Sequence, residues 1–167
     1  MVHVRLIAAA AVLAAFAAAV AQPSKAATAA CSARALDVRL NRQGSQTAGS
    51  TYYKLEFTNL SSHACTLRGY PGVSAITTNG RQLGSPAGRN AAHASRTVTL
   101  ARGGSAVAVL QVTDAHNFPP ASCRLTTATG LRVYAPGATL AKTVSFPFLT
   151  CARAGTVTLH AEAVQHA

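Results

Sequence analysis

The sequence predicts an all-β sandwich of about seven to nine short strands, tied by two disulfides, behind an N-terminal export signal. Three observations carry this expectation. After residue 29 there is no long stretch of helical periodicity; short segments of alternating apolar and polar residues are separated by turn residues instead. Four cysteines, an even number, stand in a chain whose first residues have the layout of a secretory signal. The chain after residue 21 is also of ordinary length for one domain, with no internal repeat.

The export signal comes first in the chain. Met1 to Arg5 is a short n-region charged by Arg5, Leu6 to Ala21 is an unbroken apolar run, and a small-residue region follows. Ala19-Val20-Ala21 and Ala27-Thr28-Ala29 are both A-x-A cleavage patterns. Residues 1–29 therefore read as signal peptide and short linker, cut after Ala21 or near Ala29, and residues 30–167 as one β-sandwich domain. A membrane anchor is the competing reading, but a spanning helix needs about 20 apolar residues and this alanine-rich run is shorter. No transmembrane anchor is expected once the signal is removed. A lipid anchor on Cys31 is disfavoured too. Thr28 stands where an aliphatic residue is required, and Gln22-Pro23-Ser24-Lys25 separates the cysteine from the apolar run.

Cys31, Cys65, Cys123 and Cys151 contain no C-x-x-C pair, which argues for disulfides over a zinc or redox site. Three pairings are possible. The sequential one, Cys31–Cys65 with Cys123–Cys151, is favoured; in a chain-entropy model each loop adds about 3.5–4 kcal/mol.

The strands lie in order along the chain. Leu36, Val38 and Leu40 alternate with Asp37 and Arg39, and Tyr53, Leu55 and Phe57 with Lys54, Glu56 and Thr58. A strand from Leu67 to Ile76 is interrupted at Gly69-Tyr70-Pro71-Gly72, where Pro then Gly suits a type II turn. Asn79-Gly80 signals a hairpin between Val73–Thr77 and Arg81–Leu83. Gly84 to Ser95 reads as a loop. Val98 and Leu100 form the next strand, Arg102-Gly103-Gly104 a hairpin turn, and Ala106, Ala108, Leu110 and Val112 alternate after it. Asp114 to Ser122 reads as a second loop. Leu131 and Val133, Leu140 to Phe148, and Val157 to Val164 supply the last strands, in a Greek-key sandwich.

Several blocks together carry a resemblance. They are Tyr52-Tyr53-Lys54-Leu55-Glu56-Phe57-Thr58-Asn59, then Cys65-Thr66-Leu67-Arg68-Gly69-Tyr70-Pro71-Gly72-Val73, Val98 to Ala106, and Leu131-Arg132-Val133-Tyr134-Ala135-Pro136-Gly137 between Cys123 and Cys151. The chain resembles the secreted actinobacterial family called domain of unknown function 4232, over nearly all of the part after the signal. The resemblance implies export, often to the cell envelope, and an immunoglobulin-like sandwich. It transfers no catalytic residue. Arg102 stands where the family more often has Pro, a departure that alters turn rigidity.

Composition limits the function. Removing residues 1–21 takes one of the 15 Lys and Arg and none of the four acidic residues, which lowers the formal charge from +11 to +10. The cations run from Lys25 to Arg153 without a dominant cluster in sequence. Such a charge favours anionic partners and says nothing of fold. Nucleic acid, the usual partner of a basic cytosolic protein, is not expected for an exported one without an aromatic-interleaved basic platform.

Enzyme chemistry has little material: Asp37, Glu56, Asp114 and Glu162 are the only carboxylates. Asp37 and Glu56 lie on the outward phase of their strands. Asp114-Ala115-His116 is the one pair that resembles part of a triad, without a Gly-x-Ser-x-Gly elbow to supply a nucleophile. His63, His93, His116, His160 and His166 are possible metal ligands, but none has ligand spacing, and surface histidines are the default. Asn59-Leu60-Ser61 matches a glycosylation sequon, read here as chance. Tyr70, Phe118, Phe146 and Phe148 are loop-end aromatics, with core packing as the plainer alternative. The sequence thus points to a non-enzymatic binding or structural module for an anionic envelope polymer or acidic protein surface. No cofactor or metal is expected, and Tyr70, His116, Phe118, Arg68 and Arg102 are its candidate contact surface. The alternatives are a secreted hydrolase using Asp114 and His116, and a metal-binding envelope protein.

Overall fold

The computed structural model describes residues 27–167. The signal segment and the cleavage position after Ala21 lie outside the described residues. The first alternating pair folds as a hairpin of β1 (Leu36–Thr47) and β2 (Ser50–Asn59). Val38 stands opposite Phe57 and Leu40 opposite Leu55, so the two apolar sets share one face. Arg39 stands opposite Glu56 on the other face and donates to Asp37 at 2.6 Å. The connection is two residues long: Ala48 and Gly49 have φ of 47° and 73°. Two central residues with positive φ match the twist of the flanking strands.

β2 continues the sheet to β8 (Ser105–Thr113), and β8 pairs with β11 (Leu159–Glu162) and β12 (Gln165–His166). β6 (Gly88–Asn90) closes the far edge, parallel to β11. A second sheet runs in the order β10 (Ala141–Cys151), β9 (Leu125–Tyr134), β4 (Gly72–Ile76), β5 (Gln82–Leu83). β3 (Cys65–Arg68) and β7 (Thr97–Leu100) form a third, two-stranded sheet. Of these twelve strands nine are four residues or longer; the remaining three are β5, β6 and β12.

The inner faces of all three sheets meet in one apolar cluster. Leu55 and Phe57 of β2, Leu110 of β8, Leu131 and Val133 of β9, and Leu67 of β3 are all buried in it. β8 shows the alternation most plainly: Ala106, Ala108, Leu110 and Val112 are buried, and the residues between them are half-buried. Burial of each large aliphatic side chain stabilises by roughly 1.5–3 kcal/mol, so this cluster supplies the main driving force for the sandwich. Phe146 belongs to it as well. Its ring lies edge-on to Tyr53 at 4.9 Å and stacked on Phe148 at 5.0 Å, which turns both phenylalanine rings toward the core while Pro147 between them is exposed. Pro147 sits where the β9–β10 register shifts, between Ser145 and Phe148, because proline has no N–H for the ladder.

The disulfides are Cys31–Cys65, spanning 34 residues, and Cys123–Cys151, spanning 28. The first ties the segment before β1 to β3. The second ties a short helix, α1 (Pro120–Cys123), to the end of β10.

Three local expectations are corrected. The stretch Gly84–Ser95 is not all loop, since it contains β6. Gly88 is needed there because a Cβ would stand 2.7 Å from the His160 ring. The Pro71-Gly72 pair does not form the type II turn. Gly69 carries the positive φ, 109°, while Gly72 already pairs with Tyr134 in β4. Arg102-Gly103-Gly104 is a turn but not a hairpin. It carries the chain from β7, paired to β3, into β8 of the large sheet.

Candidate functional site

The structure divides the five candidate contact residues. Arg102 precedes β8 whereas His116 and Phe118 follow it, so a nine-residue strand, about 30 Å, lies between them. Arg68 stands opposite Thr97 on the β3–β7 ladder, at the other end of β7 from Arg102. Tyr70 is half-buried, with the Arg89 guanidinium 5.5 Å from its ring centroid. The carbonyl of Gly69 between them accepts from the Val164 N–H at 2.9 Å, which sets Arg68 and Tyr70 beside the C-terminal segment. The polar side chains gather in two separate regions.

The first is the rim after β8. Asp114 Oδ1 accepts from the His116 N–H at 3.0 Å and from its Nδ1 at 2.8 Å. The first contact, and next the ring contact, hold the Asp114 carboxyl below its usual 3.8; slight desolvation opposes them. The pair caps a one-turn helix, Ala115–Asn117. Two depressions flank it. One, of about 450 Å³, is lined by the β1–β2 turn, Tyr53, Phe148 and Asp114. The other, of about 220 Å³, is lined by His116, Phe118, Pro120, Arg124 and Leu125. Among the described residues no serine hydroxyl is hydrogen-bonded to the His116 ring. Ser50, the serine in the larger depression, is instead bonded to Gln111 and Thr113.

The second region is a cleft of about 600 Å³ between the segment entering β7 and β12. His93, Arg96, Thr97, Val98, Gln165 and His166 line it. His93 is held by Glu162, whose Oε2 lies 3.0 Å from its Nδ1; Oε1 takes a longer hydrogen bond, 3.4 Å, from Asn90. The Glu162 side chain is only 11% exposed, against 53% for Asp114. β11 points Leu159 and Ala161 into the core, so Glu162 faces outward, and the loop after β6 covers it. A buried carboxylate needs partners, and that loop supplies them.

The reading from sequence missed His93, Glu162 and Arg96 as a group. His93 and Glu162 are 69 residues apart, and no spacing rule joins them. One signal was present: an acid in the strand segment Leu159–Val164, flanked by Ala161 and Ala163, has to find a partner.

Asn59, the sequon residue, is fully buried. Its Nδ2 donates to the carbonyls of His63, Leu100 and Ala101, and its Oδ1 accepts from Ser61 N–H and Oγ. It is a structural hub with no amide left for a glycan. Among the described residues no three His, Cys, Asp or Glu side chains converge on a common metal position.

A family model described as a domain of unknown function (DUF4232) matches residues 31–165. The chain belongs to this family. The DUF4232 match spans both disulfides and ends at Gln165, so the whole sandwich except the last residue of β12, with most of the cleft's lining, falls within it. No curated protein and no solved structure matches the chain significantly.

Proposed function

We propose that this DUF4232 protein is exported and acts outside the cytoplasm, in the envelope or beyond it, as a non-enzymatic module that binds an anionic polymer. One observation carries the reading. All described Lys and Arg side chains except Arg132 and Lys142 are exposed, and among them only Arg39 pairs with a carboxylate. A surface of unneutralised guanidinium groups attracts polyanions and pairs well with phosphate and carboxylate oxygens. Export is supported by the two disulfides, which persist in oxidising compartments, and by the n-region, apolar run and A-x-A pattern at the N-terminus. Among the described residues no helix is long and apolar enough to cross a membrane.

Co-sedimentation with isolated cell walls tests the reading. Binding should be strong at low salt and fade as ionic strength rises past about 0.15 M, where the Debye length is about 8 Å. Absence of binding at every salt concentration overturns it. Retention only by acidic protein, with polymer-stripped walls binding as well as intact ones, would replace the polymer with a protein partner.

A further inference from the structure

The cleft beside His93 is more specific than net charge, and its assignment rests on the anionic-polymer reading. Glu162, the carboxylate side chain that holds His93 beside the cleft, is already committed to His93 and Asn90. A carboxylate only accepts, so the His93 Nδ1 carries the hydrogen of that bond. The orientation of the ring decides what its other nitrogen can do. In the neutral ring Nε2 is a bare lone pair, which repels an oxyanion; in the imidazolium it is an N–H donor. Glu162 thereby fixes the tautomer and ties the donor capacity of the exposed nitrogen to ring protonation.

Fixed positive charge stands around it. Arg96 lines the cleft from the same loop, and Arg68 stands across the β3–β7 ladder from Thr97; His166, from β12, adds a second imidazole whose charge is not fixed. Thr97 and Gln165 add neutral donors. His160, two residues before Glu162 on β11, packs its ring against Gly88. A cleft of about 600 Å³ is within the usual range for a small-ligand site and accommodates a short run of a linear chain.

We propose that this cleft is an oxyanion site for the phosphodiester groups of a linear polyanion, and that filling it is coupled to proton uptake at His93. The polymer's remaining length then runs over the dispersed arginines, which add affinity without selecting the ligand.

The test uses the full mature chain, tagged at its N-terminus, and a synthetic glycerol-phosphate oligomer. A phosphodiester has no second ionisation, so its charge is constant across the pH range used. At about 0.15 M salt, the oligomer should bind about tenfold more tightly near pH 5.5 than near pH 8, the worth of one charge-assisted hydrogen bond. His93→Gln should remove most of that pH dependence, whereas His166→Gln, at the other imidazole of the cleft, should keep it. Arg96→Gln should weaken binding about tenfold at both pH values. Arg153→Gln, an exposed change beside the other disulfide, should alter affinity by less than about twofold. Amide spectra of each variant confirm folding.

Equal losses for Arg96→Gln and Arg153→Gln, without a pH effect, overturn the cleft and leave the polymer reading intact. Failure of every protein to bind oligomer or cell wall overturns both. Binding of a poly-glutamate peptide in preference to the oligomer overturns the phosphodiester assignment in favour of an acidic protein.

Discussion

The molecule contains the same chemical pair twice, in two settings. His116 with Asp114 and His93 with Glu162 are each a ring Nδ1 about 3 Å from a carboxylate oxygen, at 2.8 and 3.0 Å. The first pair is made within one turn of chain and stands in solvent. The second joins a loop to a strand across 69 residues, and its carboxylate is nearly covered. In water the attraction within such a pair is almost wholly screened, while partial burial strengthens both the attraction and the cost of losing a partner. Identical contacts therefore have different consequences. The exposed pair shapes a local turn, whereas the covered one holds a loop in place and creates a cleft. A histidine–carboxylate distance alone does not mark a site; the setting of the carboxylate does.

A control at the opposite end of β2 from the Asp114 rim separates stability from the cleft. Asn59 is buried and bridges β2 to the loop around His63 and to the end of β7. Asn59→Ala removes the donor to the buried Leu100 carbonyl and to the His63 carbonyl, and the acceptor of the Ser61 N–H and hydroxyl, and should cost about 3 kcal/mol in urea unfolding, the largest single loss among these changes. Oligomer affinity of the folded fraction should not change. Glu162→Ala comes next. It removes the partner of His93 Nδ1 and of Asn90, and a loss of about 2 kcal/mol is expected, together with faster proteolysis in the Ala91–Arg96 loop. A Glu162→Ala protein as stable as wild type would erase the distinction between the two pairs.

That distinction also explains what could be read in the sequence. The strands of the hairpin and of β8 were legible, because strict alternation at Leu36–Leu40, Tyr53–Phe57 and Ala106–Val112 puts one face in the core whatever the partners are. The cysteine pairing followed the order of the chain. β6 was not legible: Gly88-Arg89-Asn90 has no apolar pattern and becomes a strand only because β11 offers an open edge. The Ala48-Gly49 turn was missed since it lacks the usual Asn-Gly signature. Asp114 and His116 stood out because they are neighbours in sequence, and that nearness is also why they are poor evidence for a site. Glu162 needed the fold before His93 could be named. Arg68, Tyr70 and His116 were grouped as one contact surface, but which of them share a surface depends on strand order, which alternation does not encode.

The exposed pair predicts a pH effect of definite sign. The folded Asp114 carboxyl lies below its usual value of 3.8 because the ionised form accepts from the His116 N–H and ring. A carboxyl depressed on folding stabilises fully above its unfolded value, and that contribution disappears as pH falls from 3.8 through the folded value. A carbon-detected NMR titration should find the Asp114 midpoint below 3.8 in the native protein. In Asp114→Asn the acid limb of the stability curve should flatten, with only a small change at neutral pH. A midpoint at or above 3.8 would contradict the cap.

The smallest effect tests the same rim through its backbone. Ala48 holds φ at 47°, a region that costs an L-residue with a Cβ roughly 1–2 kcal/mol. Glycine enters it freely but loses more freedom on folding, by about 0.4–1 kcal/mol. Ala48→Gly should therefore stabilise the protein by about 0.5 kcal/mol, read as a rise in the urea midpoint at unchanged slope. Ala48 lines the larger depression beside Asp114, so the same variant changes the wall of that depression without touching the cleft. A gain in stability with unaltered oligomer affinity places the Asp114 rim outside ligand binding. A loss of affinity would move the binding surface to this end, and the covered Glu162 would then be a fastening for the loop and nothing more.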